Sequence, residues 1–275
     1  MISINLKGRF GNHLWMYAVC RTLAEYKGYD YHISRDWLGT KLFNCDLGVL
    51  EDETYLIFED HISQKYNTKI LDIQDFTKLN GFFQSEKYIL NNKKNILEWY
   101  KTDYISINHL DDNICVIHLR GNDYKSMRDV YLPEKYYYDS IKYLTSINKN
   151  IRFVVVTDDQ IEASKYFPNF IIMPSNIQND YYFLNTARYL IISNSTFSWW
   201  AAWLNRKNYI TIAPKYWFKH NISDGWWSPT DSITTGFLYM DKHGNISNPN
   251  NCIEQCIENE FILNNTEYYT LTDKC

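Results

Sequence analysis

The feature that most constrains the fold of this chain is a regular alternation of apolar strands and amphipathic helices between residues 113 and 213. Each apolar run is typical of a buried parallel strand and is followed by a segment with helical spacing. The predicted strands are 113–118, 152–156, 170–173, 190–192 and 209–213. This alternation predicts a doubly wound parallel sheet and therefore an α/β protein.

A separate strand–turn–helix unit opens the chain. A strand at 2–6 runs into a glycine-containing turn at 8–13, and an apolar helical pattern then continues to Gly28. A further strand at 29–33 would complete one βαβ unit. The two glycines of the turn allow a close backbone approach to a bound group, but a tight turn that needs positive φ is the favoured explanation for a lone Gly-x-x-Gly.

The segment between these two regions is harder to interpret. Its apolar pieces at 34–80 are short, so helix and loop both remain open, whereas 91–100 is predicted to be helical. The polar stretch 102–112 is the predicted linker. We therefore expect an N-terminal domain over 1–112 and a C-terminal domain over 113–275, with no recognisable motif after about residue 235.

Charge and cysteine content exclude several classes of protein. The net charge of the 275 residues is −4 with no block of like charge, which disfavours a surface for nucleic acid or anionic lipid. The start of the chain shows neither a signal-peptide pattern nor a membrane-spanning run, so a soluble, cytoplasmic protein is expected. Cys252 and Cys256 have no histidine partners nearby in sequence, so reduced thiols are expected rather than zinc.

The stretch 191–204 carries the clearest sign of a ligand site. An apolar strand end breaks into the hydroxyl-rich turn Ser-Asn-Ser-Thr and resumes as an apolar helix rich in tryptophan. The first N–H groups of a helix lack partners within the helix, and the helix dipole favours negative charge there. The sequence therefore predicts an anion-binding turn.

Other polar residues follow the predicted strands at the same sheet edge, where open α/β sheets bind their ligands. They are His118, Arg120, Asp123, Asp158, Asp159, Ser195, Thr196 and Ser198. A guanidinium binds phosphate oxygens in pairs, so a nucleoside diphosphate is a suitable ligand. The chain contains no Asp-x-Asp, no Walker sequence and no metal-ligand spacing, which favours a site that neutralises the diphosphate without a metal ion.

Structural explanations compete with these functional ones. One of Asp158 and Asp159 is expected to cap the following helix. His118 at a strand end is often a hydrogen-bonded core histidine, and the tryptophans of 191–204 are expected to pack rather than to bind ligand. Arg120 is harder to explain structurally, because an arginine next to a buried strand needs a partner.

Several motifs together resemble the α-1,2-fucosyltransferases of glycosyltransferase family 11. They keep their order from residue 8 to about 230 and read GRFGNH (8–13), FFQSEKY (82–88), IHLRGNDY (117–124), TDD (157–159), SNSTFSWWAAWLN (193–205) and IAPKYWF (212–218). The resemblance implies a GT-B fold with two Rossmann-like domains facing across a cleft, with residues 1–112 on the acceptor side and residues 113–275 binding the GDP-sugar. It also implies GDP-β-L-fucose as donor, no metal cofactor, and inversion at the anomeric carbon.

The resemblance also assigns roles by position. His118 and Asp180 fall where relatives bind guanine, and Arg120 falls where they contact the donor diphosphate. The complete expected donor-binding set is His118, Arg120, Asp158, Asp180, Ser195, Thr196, Phe197 and Ser198. The expected catalytic set is Arg120, Asp123 and Asn12, of which Asn12 would face the transferred sugar.

The chain departs from the family pattern at two positions. The second arginine of His-x-Arg-Arg-x-Asp is Gly121 here, and the glutamine that usually follows Gly-Asn is His13. Loss of a guanidinium could weaken turnover or fit a different donor, unless Lys125 or Arg128 compensates. The base that deprotonates the acceptor is not fixed by the sequence; the candidates are Asp123, Asp129, His13, Glu86 and a donor phosphate oxygen.

The expected function is therefore a metal-independent, inverting transfer of fucose from GDP-fucose to a glycan hydroxyl, with the 2-OH of a galactoside as the favoured position. Its partners would be a GDP-sugar and an oligosaccharide, with no nucleic acid, and a lipid-linked acceptor would bring the protein to the cytosolic face of a membrane. Two alternatives remain open: a GT-B transferase that uses another GDP-sugar, and a nucleotide- or glycan-binding homologue without catalysis.

Overall fold

A computed structural model describes residues 1–61, 65–102, 110–127, 129–218, 220 and 230–263. The chain divides into two compact units, Met1–Ile105 and Ser106–Cys275. This division falls inside the predicted linker 102–112, of which residues 103–109 lie outside the described part.

In the first unit, the part of the chain that the structure describes forms a four-stranded parallel sheet and two α-helices. The helices are α1 (Phe10–Lys27) and α2 (Lys93–Trp99), and the strands are β1 (Ile2–Ile4), β2 (Tyr31–His32), β3 (Leu56–Glu59) and β4 (Thr77–Asn80). The strand order is β2-β1-β4-β3, and every neighbouring pair is parallel. The predicted βαβ start of the chain is confirmed.

Helix α1 ends where the sequence predicts. Gly28 adopts the left-handed conformation with φ of 70°, and its N–H closes the last turn of the helix. The aromatic rings of Tyr17 and Trp37 stack beneath the helix with centroids 4.6 Å apart, and the hydroxyl of Tyr100 donates to the carbonyl of Leu14 at 2.6 Å. These contacts anchor α1 in the core of the first unit.

The expectation for 34–80 is corrected by the structure. This segment holds strands β3 and β4, rather than only the helix or loop that we predicted. Both strands have four residues, and β3 lies at the sheet edge with Leu56 and Ile57 exposed. A short edge strand without an alternating apolar pattern gives no periodic signal in the sequence.

The described residues of the second unit form a seven-stranded sheet and five α-helices. Its strands are β5 (Ile114–Leu119), β6 (Arg152–Thr157), β7 (Ile171–Ile172), β8 (Tyr189–Ile191), β9 (Ile210–Pro214), β10 (Leu238–Met240) and β11 (Ile246–Ser247). Its helices are α3 (Glu134–Ile147), α4 (Gln160–Tyr166), α5 (Ile177–Thr186), α6 (Thr196–Trp203) and α7 (Pro249–Leu263).

The strand order of this sheet is β11-β10-β9-β8-β5-β6-β7; among these described strands the β10–β11 pair is antiparallel and the other neighbouring pairs are parallel. From β5 the chain runs outward through β6 and β7, then returns to β8 on the other side of β5. This reversal of strand order is the position at which doubly wound sheets form their ligand crevice. The predicted α/β class with two Rossmann-like parallel sheets, which a GT-B protein requires, is confirmed.

The end of the chain differs from expectation. Residues after about 235 show no sequence motif, yet β10, β11 and α7 extend the sheet and its cover there. Cys252 and Cys256 are buried on α7, and both are free thiols. Within the described ranges, none of the helices combines the length and apolar character needed to span a bilayer.

Candidate functional site

The ends of β5 and β8 meet where the strand order reverses, and they bring His118 to Ser193. His118 Nδ1 lies 2.8 Å from the Ser193 hydroxyl oxygen, and both residues are buried. Burial and the charge of Arg120 lower the pKa of His118 to about 3, so its imidazole is neutral at pH 7. Ser193 was not predicted as a partner of His118, although it lies in the predicted anion-binding turn.

Arg120 follows β5 directly and is held by two carboxylates. Its guanidinium donates to the carboxylate of Asp158, which follows β6, and to Asp123 Oδ1 at 2.6 Å. The ring of Tyr124 lies 5.2 Å from the guanidinium carbon. With 14% of its side chain exposed, Arg120 is a mostly buried cation at the carboxyl edge of the sheet. The structure thus brings together three predicted site residues.

The loop after β5 is fixed to the end of β6 by further hydrogen bonds. The N–H of Gly121 donates to Asp158 Oδ1 at 2.7 Å, and the side-chain amide of Asn122 donates to the Asp158 carbonyl at 2.7 Å. Asn122 has a positive φ of 31°, which is uncommon outside glycine. Asp158 therefore orients both the guanidinium and the backbone of this loop.

Either Asp158 or Asp159 was expected to cap the following helix, and the structure shows that Asp159 caps α4. Its carboxylate accepts from the N–H of Glu162 at 3.0 Å, and it also forms an ion pair with Lys125. A β-carbon placed on Gly121 would overlap the β-carbon of Asp159. The absence of a side chain at residue 121 is therefore a packing requirement, while Lys125 adds a cation to the same loop. Arg128, the other compensating candidate, lies outside the described residues.

The turn before α6 is closely hydrogen-bonded. The side-chain amide of Asn194 donates to the carbonyls of Val130 and Trp217, both at 2.7 Å. Ser195 is the N-cap residue of α6, and Thr196 begins the helix. Asn194 is a second residue that sequence analysis did not assign; its place inside the serine-rich motif was the available signal.

Ser198 is fully buried in the first turn of α6, and its hydroxyl donates to the carbonyl of Ser195 at 3.1 Å. A phosphate contact through this hydroxyl remains a prediction that the geometry does not favour. Trp199, Trp200 and Trp203 are buried, and the rings of Trp199 and Trp203 stack with centroids 5.6 Å apart. The expectation that these tryptophans pack in the core is confirmed.

Asp180 on α5 is a buried carboxylate with unused hydrogen-bonding capacity. It is 8% exposed, and its Oδ1 has no hydrogen-bond partner among the described residues. Burial, with a smaller contribution from the negative charge of Asp158, raises the pKa of Asp180 to about 7. An unsatisfied buried carboxylate oxygen costs stability, and it leaves an acceptor open to a hydrogen-bond donor.

The ring of Phe197 extends this region. Its centroid lies 5.9 Å from the imidazole of His118 and 6.3 Å from the ring of Tyr181. Phe197 at the start of α6 therefore lies beside His118, one of the two predicted guanine-contacting residues, and beside Tyr181, which follows the other in sequence. The predicted donor-binding residues of the second unit thus share one edge of one sheet.

The predicted residues of the first unit lie around the start of α1. Asn12 Oδ1 accepts from the side-chain amide of Gln84 at 2.9 Å. His13 is buried, and its Nδ1 accepts from the N–H of Leu38 at 3.1 Å. Desolvation lowers the pKa of His13. Since Nδ1 is already engaged, its availability as a proton acceptor is reduced.

The remaining base candidates are placed as follows. Asp123 is bound to Arg120, Glu86 is buried at the start of a short 3₁₀ turn, and Asp129 is exposed. In the part of the chain that the structure describes, no cluster of three or more His, Cys, Asp or Glu side chains is arranged to hold a metal ion. Metal-free catalysis stays a prediction.

Comparisons with known proteins agree with the motifs. The sequence model of glycosyl transferase family 11 matches residues 1–225. An alpha-1,2-colitosyltransferase from Escherichia coli is 36% identical over 182 residues, which cover 57% of this chain and 62% of that protein. The O-antigen biosynthesis glycosyltransferase WbnK from Escherichia coli is 27% identical over 216 residues, covering 69% of this chain and 71% of that protein.

Solved structures give weaker similarities. The α-1,6-fucosyltransferase NodZ soaked with GDP-fucose has 14% identity and a TM-score of 0.42, covering 74% of this chain and 92% of that one. The Escherichia coli heptosyltransferase WaaC with ADP has 12% identity and a TM-score of 0.46, covering 95% and 98%. At these TM-scores neither similarity supports an inference about this chain.

The family match extends over most of the chain and includes the first unit and the reversal point of the second sheet. It contains every residue of the predicted donor-binding and catalytic sets. The chain belongs to glycosyl transferase family 11.

Proposed function

We propose that this chain transfers L-fucose from GDP-β-L-fucose to a hydroxyl group of a glycan acceptor, with the 2-OH of a galactoside as the favoured position. Membership of glycosyl transferase family 11 supports the reaction class. The colitosyltransferase relative supports transfer to a 2-position through its own name, although the match spans only 62% of that protein.

The observation that carries the proposal is that Asp158 links two buried groups of the second unit: its carboxylate binds the Arg120 guanidinium, and its charge contributes to the raised pKa of Asp180. Arg120 supplies a mostly buried cation for the diphosphate. Asp180 supplies a buried carboxylate oxygen without a partner among the described residues. Guanine presents two adjacent N–H donors that suit a carboxylate, whereas the corresponding edge of adenine does not. A guanosine diphosphate thus satisfies both groups.

The proposed reaction is a single displacement. A bond forms between the acceptor oxygen and the anomeric carbon while the bond from that carbon to the diphosphate oxygen breaks, so the configuration inverts. Arg120 and the start of α6 stabilise the charge that develops on the departing GDP, and no metal ion is required. In the structure, the Arg120 guanidinium donates to Asp123. A bound diphosphate would compete with Asp123 for this guanidinium, and the released carboxylate could then take the proton from the acceptor hydroxyl.

A second donor is supported by a specific observation. The colitosyltransferase relative indicates that a sugar other than fucose is transferred by a similar sequence. Gly121 replaces the second arginine of the fucosyltransferase motif, and Asp159 fills its space. A closely related GDP-deoxy sugar is therefore the alternative donor within the same mechanism.

Calorimetry and product analysis test the proposal. The purified chain is titrated with GDP and ADP, and then incubated with GDP-fucose, GDP-colitose or GDP-mannose and a panel of β-galactosides. GDP should bind at least about tenfold more tightly than ADP, because a buried unpaired carboxylate discriminates strongly against a ligand that cannot donate to it. GDP binding without donor hydrolysis or transfer would favour a homologue that has lost catalysis. Equal binding of ADP would contradict the guanine assignment.

A further inference from the structure

The first unit has its own polar cluster at the carboxyl edge of its parallel sheet, and Asp60 is at its centre. Asp60 follows β3 and continues the pairing with β4, since its N–H donates to the carbonyl of Asn80 at 2.9 Å. Its Oδ2 is buried and has no hydrogen-bond partner among the described residues. Neither the family motifs nor the predicted site residues include Asp60.

The chain around Asp60 is shaped to hold this carboxyl group. Gly81 follows β4, and a β-carbon there would lie 2.6 Å from the β-carbon of Asp60. Phe83 has a positive φ of 52° although it is not glycine, and its backbone N–H donates to the Asp60 carboxyl group. A bulky residue in this conformation is strained, and such strain is concentrated at functional sites.

The groups that surround Asp60 have the composition of a carbohydrate site. Lys7, which follows β1, donates to Asn80 Oδ1 at 3.2 Å and lies 4.9 Å from the centroid of the Phe82 ring. Asn80 in turn donates to both carboxylate oxygens of Glu59. An aromatic ring beside amides, carboxylates and an ammonium group offers an apolar face and donors and acceptors for sugar hydroxyls.

The cluster continues to Asn12. Gln84, two residues beyond Phe82, donates to Asn12 Oδ1 at 2.9 Å. Asn12 also fills the space beside Gly8, which has a φ of +79° and directly follows Lys7. The loops after β1 and β4 are thus connected by side chains, and the strand ends form one continuous polar edge.

We propose that this edge of the first unit binds the sugar acceptor, and that Asp60 Oδ2 accepts a hydrogen bond from an acceptor hydroxyl. The inference rests on the proposed glycosyl transfer and names the residue that its acceptor would contact. Burial raises the pKa of Asp60 to about 6, partly offset by Lys7 and His61, so the carboxylate predominates above that pH and can accept from a hydroxyl group.

The stability of the chain offers a readout that separates binding from a structural role. A carboxylate with a raised pKa destabilises the folded state at alkaline pH. Asp60→Asn keeps an oxygen for the Phe83 N–H and removes this charge. Its melting temperature at pH 8 should therefore equal or exceed that of the parent protein. A residue kept for folding would show the opposite result.

The test is a saturation-transfer NMR titration of the full chain with methyl β-glycosides of galactose, glucose, N-acetylglucosamine, N-acetylgalactosamine and mannose. Asp60→Asn should weaken the binding of the preferred glycoside by about tenfold or more, as expected for a lost hydrogen bond to a charged group. GDP affinity, measured by calorimetry, should not change. Asp72→Asn, which alters an exposed carboxylate of the same unit, should behave like the parent protein.

Two results would overturn this inference: equal glycoside affinity in Asp60→Asn and the parent protein, or no glycoside binding by the parent protein. Failure of the proposed function appears separately, as loss of selectivity for GDP over ADP. With donor and acceptor both present, Asp60→Asn should raise the KM for the acceptor and leave the KM for the donor unchanged. A donor KM that rises equally would also contradict an acceptor-binding role.

Discussion

The β-carbon of Asp159 occupies the space that a side chain at residue 121 would need. Gly121 and Asp159 follow the neighbouring strands β5 and β6. The side chain after β6 therefore determines which residue fits after β5. The carboxylate of Asp159 also caps α4, which prevents it from simply moving aside. With Asp159 in this position, the packing of the sheet edge requires glycine in place of the second arginine of the motif.

Substitution of Gly121 should damage the site through Asp159. Gly121→Ala should lower the free energy of unfolding by about 1–3 kcal/mol, the usual cost of overpacking. Gly121→Arg should also reduce transfer rather than restore a family-like activity. Thermal unfolding and an assay of GDP release from GDP-fucose measure the two effects.

Gly28→Ala is the matched control, because Gly28 has a φ of +70° and, its own chain neighbours aside, no atom of the described residues lies within 4 Å of the added carbon. It should cost about 1 kcal/mol through backbone strain alone and leave transfer unchanged. A Gly121→Arg variant with greater stability and faster transfer than the parent would contradict the packing argument.

Arg120→Ala should abolish transfer. Without the guanidinium the diphosphate loses its cation, and we expect a loss of at least about a hundredfold in kcat/KM. The carboxylates of Asp123 and Asp158 also lose their ion pair with Arg120, so the melting temperature should fall while the chain remains folded by circular dichroism. Arg152→Ala removes an exposed ion pair with Asp111 and serves as the control. Near-normal transfer by Arg120→Ala would refute its assignment.

The raised pKa of Asp180 predicts a pH-dependent stability. The folded state holds this proton up to about pH 7, whereas the unfolded chain loses it near 3.8. Between these values the folded state binds more protons, so the contribution of Asp180 to stability falls as pH rises and is lowest above pH 7. Asp180→Asn should therefore be more stable than the parent at pH 8, by up to about 4 kcal/mol, and similar to it at pH 4. Equal stability at pH 8 would contradict this.

The same group should control nucleotide binding. Only the ionised carboxylate accepts hydrogen bonds from both N–H donors of guanine, so the GDP affinity of the parent should rise as pH increases through about 7. Calorimetry between pH 5.5 and 8.5 measures this trend, and Asp180→Asn should show weak binding with little pH dependence. A parent affinity that falls over this range would exclude Asp180 from the guanine site.

His13 provides a test of the acceptor base. Its Nδ1 already accepts from the N–H of Leu38, so we expect a structural role. His13→Asn places an oxygen near the same position and should keep transfer within a few-fold. His13→Leu leaves this N–H without an acceptor and should cost about 1–3 kcal/mol. Loss of transfer in a stably folded His13→Asn variant would instead identify His13 as the base.

Strong periodic segments of the sequence predicted most of the fold. Buried runs such as 113–118 and the Gly28 helix end were recognisable because apolar spacing and a left-handed glycine have direct structural causes. Strands β3 and β4 were missed, since four-residue strands carry no period of their own. The strands and helix after residue 235 were missed because they are short or polar and depend on packing against the sheet.

The residues of the candidate site also fall into those that the sequence could predict and those that it could not. Arg120 and the serine-rich turn were identifiable, because strand ends in a parallel sheet bring polar residues together. The contacts between residues distant in sequence were not, including Ser193 with His118 and Asp159 beside Gly121. Asp60 gave no signal at all, since only the parallel pairing of β3 with β4 brings it beside Phe83.

The most direct test of the central claim is NMR analysis of the product formed by the purified chain from GDP-fucose and a panel of β-galactosides. We predict a new α-linked fucoside at the 2-position, formed with release of GDP and in the presence of EDTA, and lost in Arg120→Ala. A product with retained β configuration, or transfer that stops when EDTA is added, would contradict the proposed mechanism.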